Sequence, residues 1–290
     1  MLQMIYNFLE SFAYISLAAL GMSIIYGITG ITNMAQGELM LIGAMVVSYM
    51  CGMARVPFIV GIIAAMAITA IAGIILDRLV LTRLYSRSED SLVCTYGVSI
   101  ALMQVGTIIT GTGAPATKSP FGTVLIGSRS YSAYKFIIIA VALILFGVLY
   151  MVFNKSRFGL HARATMERRE IAASLGINVN KMNILVIVLA SALGGLAGAL
   201  YAPTMSVTGT YGSNFLTHAF VAMIIGGANP LVGTFIAALV LAVVESVLSL
   251  YFGAFIGRIG MLLVAILIIR MIPGGFSGMV ERAMVKSRKR

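Results

Sequence analysis

Long apolar runs alternate along this chain with short polar stretches that hold most of its charge. A helix needs roughly 20 apolar residues to cross a hydrocarbon core of about 30 Å. Runs of that order are read at residues 8–28, from Gly37 to about Tyr49, and at 58–76, 92–109, 136–153, 184–203 and 231–250. The last runs from Arg258 through Arg270 to Pro273. The stretch 215–225 is shorter and would rise only about 16 Å, half the core, so a half-helix entering from outside is expected there. The pattern predicts an all-α polytopic membrane bundle of eight or nine membrane segments, with residues 1–290 forming one transmembrane domain. No basic region with a small-residue cleavage site precedes the first run, so a retained helix is expected there.

Two stretches interrupt the helical pattern. Gly27, Gly30, Thr32, Asn33 and Gly37 follow one another closely, rich in poor helix formers and in side chains that bond backbone. A break or tight turn at or just inside the membrane surface is expected, with Gln36 and Glu38 beside it. The second interruption, GGANP, holds Gly226, Gly227 and Asn229. Paired interrupted helices in two halves of a transporter often flank its path, and these two form a weak internal repeat. Ser191, Gly194, Gly195 and Gly198 recur three or four apart, a spacing that lets helices approach closely in lipid.

The polar stretches orient the chain. Residues 154–183 carry Lys155, Arg157, Arg163, Arg168, Arg169 and Lys181 between two spans, and such basic loops stay in the cytoplasm. A helix from about His161 to Leu175 is expected within it, ended by Gly176 in the left-handed conformation and followed by Asn178 or Asn180 as the next cap. Ala164, Ile171 and Leu175 would share one face, with Glu167 and Glu170 interleaved among the arginines. The loop 77–90, with Arg78, Arg83 and Arg87, also belongs inside. Parity places the Gly, Ser, Thr and Pro-rich segment 110–135 outside, where a substrate-delivering protein would land. The tail, residues 276–290, ends in a basic cluster expected in the cytoplasm.

An apolar share of 60% and a mean hydropathy of +1.03 exceed the roughly 45–50% of soluble domains. The formal charge of +11 follows from cytoplasmic loops meeting anionic lipid, so the lipid bilayer and not nucleic acid is the expected partner. Cys51 and Cys94 lack metal-ligand or disulfide spacing and read as buried small hydrophobes. Glu38 and Glu245 fall within apolar surroundings, where a carboxylate asks for a partner or a cavity. Each either lines a translocation path or pins a broken helix. His218 is placed near the outer surface, and Glu10 near the outer end of the first span. Cys94, Thr95, Tyr96, Ser99 and Gln104 make the run 92–109 the most polar, suited to facing a cavity or another helix. The chain has no phosphate loop, zinc-protease motif or nucleophile elbow. It is therefore read as non-enzymatic, with any ATP bound by another chain.

Four stretches carry a resemblance. RATMERREIAASLGIN, within 162–178, resembles the ATPase-docking coupling segment of ABC-importer permeases of the branched-chain amino-acid type, the LivH and LivM relatives. GITGITNMAQGELMLIGA (27–44) is similar to that family's N-terminal signature, with Gln36 in place of its common His. GGANPLVGTFIAAL (226–239) resembles its Gly-rich turn and following span, and IPGGFSG (272–278) its exit into the cytoplasm. The resemblance implies a cytoplasmic coupling helix in which Arg163, Glu167, Arg168, Arg169, Glu170, Leu175 and Gly176 contact an ATPase. It also implies a translocation path near Asn33, Gln36, Gly37, Glu38, Tyr96, Ser99, Gln104, Gly226, Gly227, Asn229 and Glu245. The implied assembly has a second related permease subunit, two ATPases that bind ATP and Mg, and an extracytoplasmic binding protein, in a bacterial inner membrane. Metal and cofactor are expected to be absent from this chain itself. The family implies branched-chain or other apolar amino acids as cargo, with urea or short amides as the alternative. A secondary transporter or channel is the competing class and would not need the coupling helix.

Overall fold

The structure is a computed structural model and describes residues 2–85, 87–119, 121–126, 129–227, 229–272 and 274–279. Among them eleven α-helices follow in order: α1 Leu2–Thr29, α2 Gln36–Val47, α3 Phe58–Leu79, α4 Ser88–Thr110, α5 Ala133–Lys155 and α6 Arg157–Glu167. They continue with α7 Arg169–Ser174, α8 Val179–Tyr201, α9 Tyr211–Gly226, α10 Val232–Phe252 and α11 Ala254–Met271. A π-helical turn, Ser48–Met53, prolongs α2. Eight of these segments are long and apolar enough to cross a membrane, and the chain is a multi-pass membrane protein. The 16-residue α9 is the short ninth element and rises only about 24 Å. Among the described residues each of these eight segments is helical. In the outer segment a small antiparallel hairpin joins Thr123–Ile126 to Arg129–Ser132. The expected end of the last span at Pro273 and the basic cluster of the tail lie outside the described residues.

The bundle is built around α1 and α8, the most enclosed spans, while α4 and α11 are the least. Lipid is as apolar as leucine, so helices associate in it by close packing of small residues. On α8, Gly195 meets the backbone of Gly43 on α2, and Gly198 lies against the Met40 carbonyl. Ser191 fills the space that a side chain on Gly73 of α3 would need. The predicted seam of Ser191, Gly194, Gly195 and Gly198 is thus real, and it joins α8 to α2 and α3. On the other side of α1, Phe12 meets Phe235 of α10 edge to face at 5.4 Å, and Phe146 of α5 stacks on Phe12 at 6.4 Å.

One placement differs from expectation. Asp77, assigned to the inner polar loop, lies within α3 and is only 2% exposed. Its carboxylate accepts a hydrogen bond from the Tyr85 hydroxyl, which folds the short α3–α4 connection back over it. Glu10, in the first turns of α1, forms a partly exposed ion pair with Lys135 at the start of α5.

A Cβ added to Gly198 would overlap the Met40 carbonyl, whereas one on Gly147 of α5 meets nothing within 4 Å. Gly198→Val is expected to destabilise by about 1–3 kcal/mol, the usual cost of overpacking. Gly147→Ala should be neutral or slightly stabilising, since it only removes a poor helix former. Thermal unfolding of the detergent-purified variants checks both.

Candidate functional site

The first interruption begins where α1 ends. Gly30 takes φ +73° and releases the chain into a non-helical run in which Ile31, Asn33 and Ala35 are all essentially buried. Irregular backbone at membrane depth persists only where protein satisfies its polar groups. Thr95 of α4 does so here: its hydroxyl accepts the Met34 N–H at 3.0 Å and lies 3.3 Å from the Thr32 carbonyl. Asn33 Oδ1 accepts the Ala35 N–H at 3.1 Å and starts α2. Gln36 Nε2 then donates to the Ala190 carbonyl at 2.9 Å, halfway along α8. Ser99 donates to Glu38 at 3.2 Å, and Leu41 lies against Gly106. Contacts to Thr95, Ser99 and Gly106 climb α4 in step with the chain. The expected break is thus a non-helical run from Gly30 to Ala35 whose hydrogen bonds Thr95 and Asn33 supply, and α2 begins level with Ala190, halfway along α8.

The first turn of α9 closes over that start. A Cβ on Gly37 would lie 2.8 Å from the Gly212 carbonyl, and Tyr211 donates to the Gly198 carbonyl at 2.8 Å. The second interruption sits at the opposite end of α9 and is a true turn. Gly227 takes φ +80°, a conformation costly for residues with a Cβ. It packs so tightly that a Cβ there would come within 2.6 Å of Ser277 Oγ and 2.8 Å of the Gly274 carbonyl. Gly226 lies against Thr234, whose backbone nitrogen is 2.9 Å from the position of an added Cβ. Asn229 Oδ1 accepts the N–H groups of Leu231 and Val232 at 3.2 Å each and caps α10. Asn33, Gln36, Gly37 and Glu38 thus gather near one end of α9, and Gly226, Gly227 and Asn229 at the other.

Glu245 belongs to neither group. It faces His218 across the α9–α10 contact, Oε1 lying 3.2 Å from Nε2. His218, expected near the outer surface, is 1% exposed in the middle of α9. Both residues line an outward cavity of about 360 Å³, shared with Glu10, Tyr14, Ser249 and Arg258.

The coupling segment departs from the single helix expected over 161–175. Ser156 caps α6 by accepting the Gly159 N–H at 3.1 Å. Arg168 then breaks the helix with φ −151° and ψ 103°, and α7 starts in a new direction. Gly176 ends it at φ +86°, and Asn178 rather than Asn180 caps α8, accepting the Lys181 N–H at 3.0 Å. The buried residues are Gly159, Ala162, Thr165 and Ala172, and the break at Arg168 separates Ala164 from Ile171 and Leu175. Leu175 is 75% and Ile171 50% exposed, beside exposed Arg163, Glu167, Arg168 and Glu170.

Arg169 is the correction with most consequence. It does not join the outer face but turns inward, held by Asn183 Oδ1 at 2.9 Å and by the carbonyls of Thr29 and Tyr85, each at 3.4 Å. Its guanidinium also sits over the Tyr85 ring, 5.4 Å from the centroid. Burial, with the Asp77 hydrogen bond behind it, pushes the Tyr85 phenol up, so it stays protonated and donates. Arg169 therefore ties α7 to the last carbonyl of α1, where the first interruption begins, and to the first turns of α8.

The polar residues of α4 do not act together. Ser99 reaches Glu38, whereas Tyr96 and Gln104 face outward and are exposed. Sequence reasoning missed Gly212, Tyr85 and Asn183, took Asp77 for a loop residue, and counted Thr95 among the polar residues of the run 92–109 without assigning it to the interruption. For Thr95 a signal existed in Ser91, Thr95 and Ser99, a stripe of small polar residues four apart on an otherwise apolar helix.

The family described as "Branched-chain amino acid transport system / permease component" matches residues 4–272. The LivH high-affinity branched-chain amino acid permease protein of Salmonella typhimurium is 28% identical over 296 residues, covering 97% of this chain and 96% of that one. A probable LivH permease of Methanocaldococcus jannaschii is 25% identical over 277 residues, covering 90% and 88%. Among solved structures, PsaBC from Streptococcus pneumoniae in complex with Fab shares the fold at a TM-score of 0.51, with 18% identity over 92% of this chain and 90% of that one.

If Thr95 holds the extended run in place, Thr95→Val should leave the Met34 N–H buried without its acceptor. An unsatisfied buried group costs about 1–3 kcal/mol, so a loss of stability in that range is expected. Tyr96→Phe, one residue along on the exposed face, should change nothing. Denaturation of the two variants beside the parent protein decides between them.

Proposed function

The chain belongs to the family of permease components of branched-chain amino acid transport systems, and on that premise we propose that it forms half of the membrane path of an ATP-driven importer of branched-chain or other apolar amino acids. It works in a bacterial inner membrane with a second related permease subunit, two cytoplasmic ATPases and an extracytoplasmic binding protein. ATP and Mg are held by the ATPases. The observation that carries the reading is the coupling segment: an exposed, charged and partly apolar surface on the cytoplasmic side, anchored from behind by Arg169 to the end of α1.

The two arginines at its centre divide the work. Arg168, exposed, with Arg163, Glu167, Glu170 and Leu175, forms the ATPase contact; Gly176 shapes the turn behind it. Arg169 carries displacement of α7 to Thr29 and Asn183. The run between Thr29 and Gln36 has no helical hydrogen bonds of its own, so it shifts more readily than a helix would. Movement there reaches Gly37 and hence the start of α9.

Substrate follows from family membership, with the Met, Leu and Ile of the spans in keeping with it. Urea, the alternative, needs hydrogen-bond partners along its route, since each unpaired group costs about 1–3 kcal/mol. Tyr96 and Gln104 do not converge with Ser99 to supply them. In a strain lacking its own carriers, uptake by the complete transporter should be competed by excess leucine and not by urea. The reverse pattern overturns the substrate while leaving the permease assignment intact.

Arg168→Glu should abolish co-purification of the ATPase. Arg169→Ala should retain it and retain ATP hydrolysis, yet lower solute moved per ATP several-fold. Equal behaviour of the two variants in pull-down and in uptake would remove the division of roles.

A further inference from the structure

The exposed faces of the spans are of two kinds. α4 turns Tyr96, Gln104 and Thr107 outward, polar groups that lipid would leave without partners. α5 differs: between Phe136 and Met151 its exposed residues are apolar apart from Gly147 and Tyr150, a face that suits lipid. α5 and α10 both pack on α1 and leave between them a groove of about 420 Å³. Its floor is Phe146 and Phe235, whose rings meet edge to face at 5.1 Å and which both lie against Phe12 of α1. Leu143, Tyr150 and Val232 form its walls. Gly147 keeps it open, since a Cβ there would meet nothing within 4 Å.

Leu143, Gly147, Tyr150 and Asn154 follow one another three or four residues apart and so share one face of α5. From Leu143 to Asn154 that face rises about 16 Å, while half of a hydrocarbon core of about 30 Å is about 15 Å. The face runs the depth of one leaflet, the cytoplasmic one, because α5 leads into the basic coupling segment. At its cytoplasmic end stands a cation. Asn154 Oδ1 accepts Nη1 of Arg163 at 3.2 Å, which places the guanidinium of α6 at the end of the same face. Most of its donors stay available, and among the described residues no carboxylate forms an ion pair with it. Lys155 and Arg157, both exposed, add positive charge nearby.

We propose that the groove between α5 and α10 holds an acyl chain of an anionic phospholipid of the cytoplasmic leaflet, whose phosphate is bound by Arg163. A leaflet-deep apolar groove with an unpaired cation at its headgroup end matches such a lipid in length and in charge. A second helix is too large for it: over about 16 Å a helix of about 10 Å diameter takes up roughly 1,300 Å³, some three times the groove. The lipid joins α6 of the coupling segment to the start of α10, beside the interruption that Asn229 caps. The site rests on the membrane topology and not on the permease reading. Because Arg163 also belongs to the surface assigned to the ATPase, lipid retention and not ATPase binding is the measurement that decides.

Native mass spectrometry of the full chain in a mild nonionic detergent, mixed with phosphatidylglycerol or with phosphatidylcholine of the same acyl chains, reads bound lipid directly. Phosphatidylglycerol is expected to stay bound at several-fold higher occupancy than phosphatidylcholine. Gly147→Leu, whose side chain enters the groove, should lower the occupancy of both lipids several-fold. Gly97→Leu, at an equally open position on α4, should not. Arg163→Gln should leave phosphatidylcholine unchanged and remove most of the advantage of phosphatidylglycerol, and glycerol phosphate, a head group without chains, should not compete. Equal retention of the two lipids by the parent protein overturns the proposal. So does parental retention by Gly147→Leu, an undiminished preference in Arg163→Gln, or competition by glycerol phosphate. Should the leucine variant fail to insert, phosphatidylglycerol with a photoreactive acyl chain decides on the parent protein: crosslinks to residues 143–150 or 231–235 are expected, and crosslinks confined to other segments overturn the assignment. A dimer that Gly147→Leu dissociates gives the groove to a second copy and overturns it as well.

Discussion

A backbone amide inside a bilayer has no water to turn to, and the arrangement of this chain follows from where that constraint is relaxed. Between Thr29 and Gln36 the helical ladder is absent, and the polar groups are satisfied from elsewhere: Thr95 takes the Met34 N–H, Asn33 takes that of Ala35, and Gln36 reaches the Ala190 carbonyl. Each unmet bond would cost several kcal/mol in lipid. The segment therefore requires α4 on one side and α8 on the other, and its burial explains why a helix as exposed to its surroundings as α4 carries a stripe of serine and threonine.

The glycines answer to the same geometry. Gln36 can reach Ala190 only because Gly21 and Gly194 leave room for its amide. Gly37 and Gly212 let two helix starts touch backbone to backbone, and Gly43 and Gly195 do the same for α2 and α8 nearly two turns further along α2. Small residues here do more than permit packing. They let a backbone or a polar side chain from one element stand where another residue's Cβ would be, so the hydrogen bonds of the interrupted segment become possible at all.

Much of this was legible in the sequence, and the failures have physical causes. Hydropathy located every long span, and Gly30, Gly176 and Gly227 marked real punctuation, because left-handed φ leaves a compositional trace. The seam on α8 was visible as a spacing. What could not be read was which neighbour satisfies the break: its acceptor for the Met34 N–H is Thr95, distant in sequence. The coupling segment failed for a related reason. Periodicity put Ala164, Ile171 and Leu175 on one face of a single helix, but the extended Arg168 resets the phase of α7, and one helical wheel drawn through both pieces no longer relates residues on the two sides of the break. Arg169 then looks like one more surface cation beside Arg168, although its partners Thr29, Tyr85 and Asn183 come from three other places in the chain.

That reset matters for how force could pass through the protein. An exposed cation pair on an unbroken helix would present two similar charges to a partner and leave the membrane part to follow passively. With α7 turned, adjacent residues face opposite ways: one toward whatever docks from the cytoplasm, the other toward the carbonyl that ends α1. A guanidinium suits the inner position because its planar set of donors can hold an amide oxygen and two carbonyls at once while stacking on Tyr85, which a lysine ammonium could not reproduce. Tyr85 is itself braced by buried Asp77 on α3. A push on the coupling segment is thus shared among α1, α3 and α8, the three elements that border the entry to the interrupted run, and displacement there is met by a segment tied to α4 through Thr95 and, at its end, to α8 through Gln36.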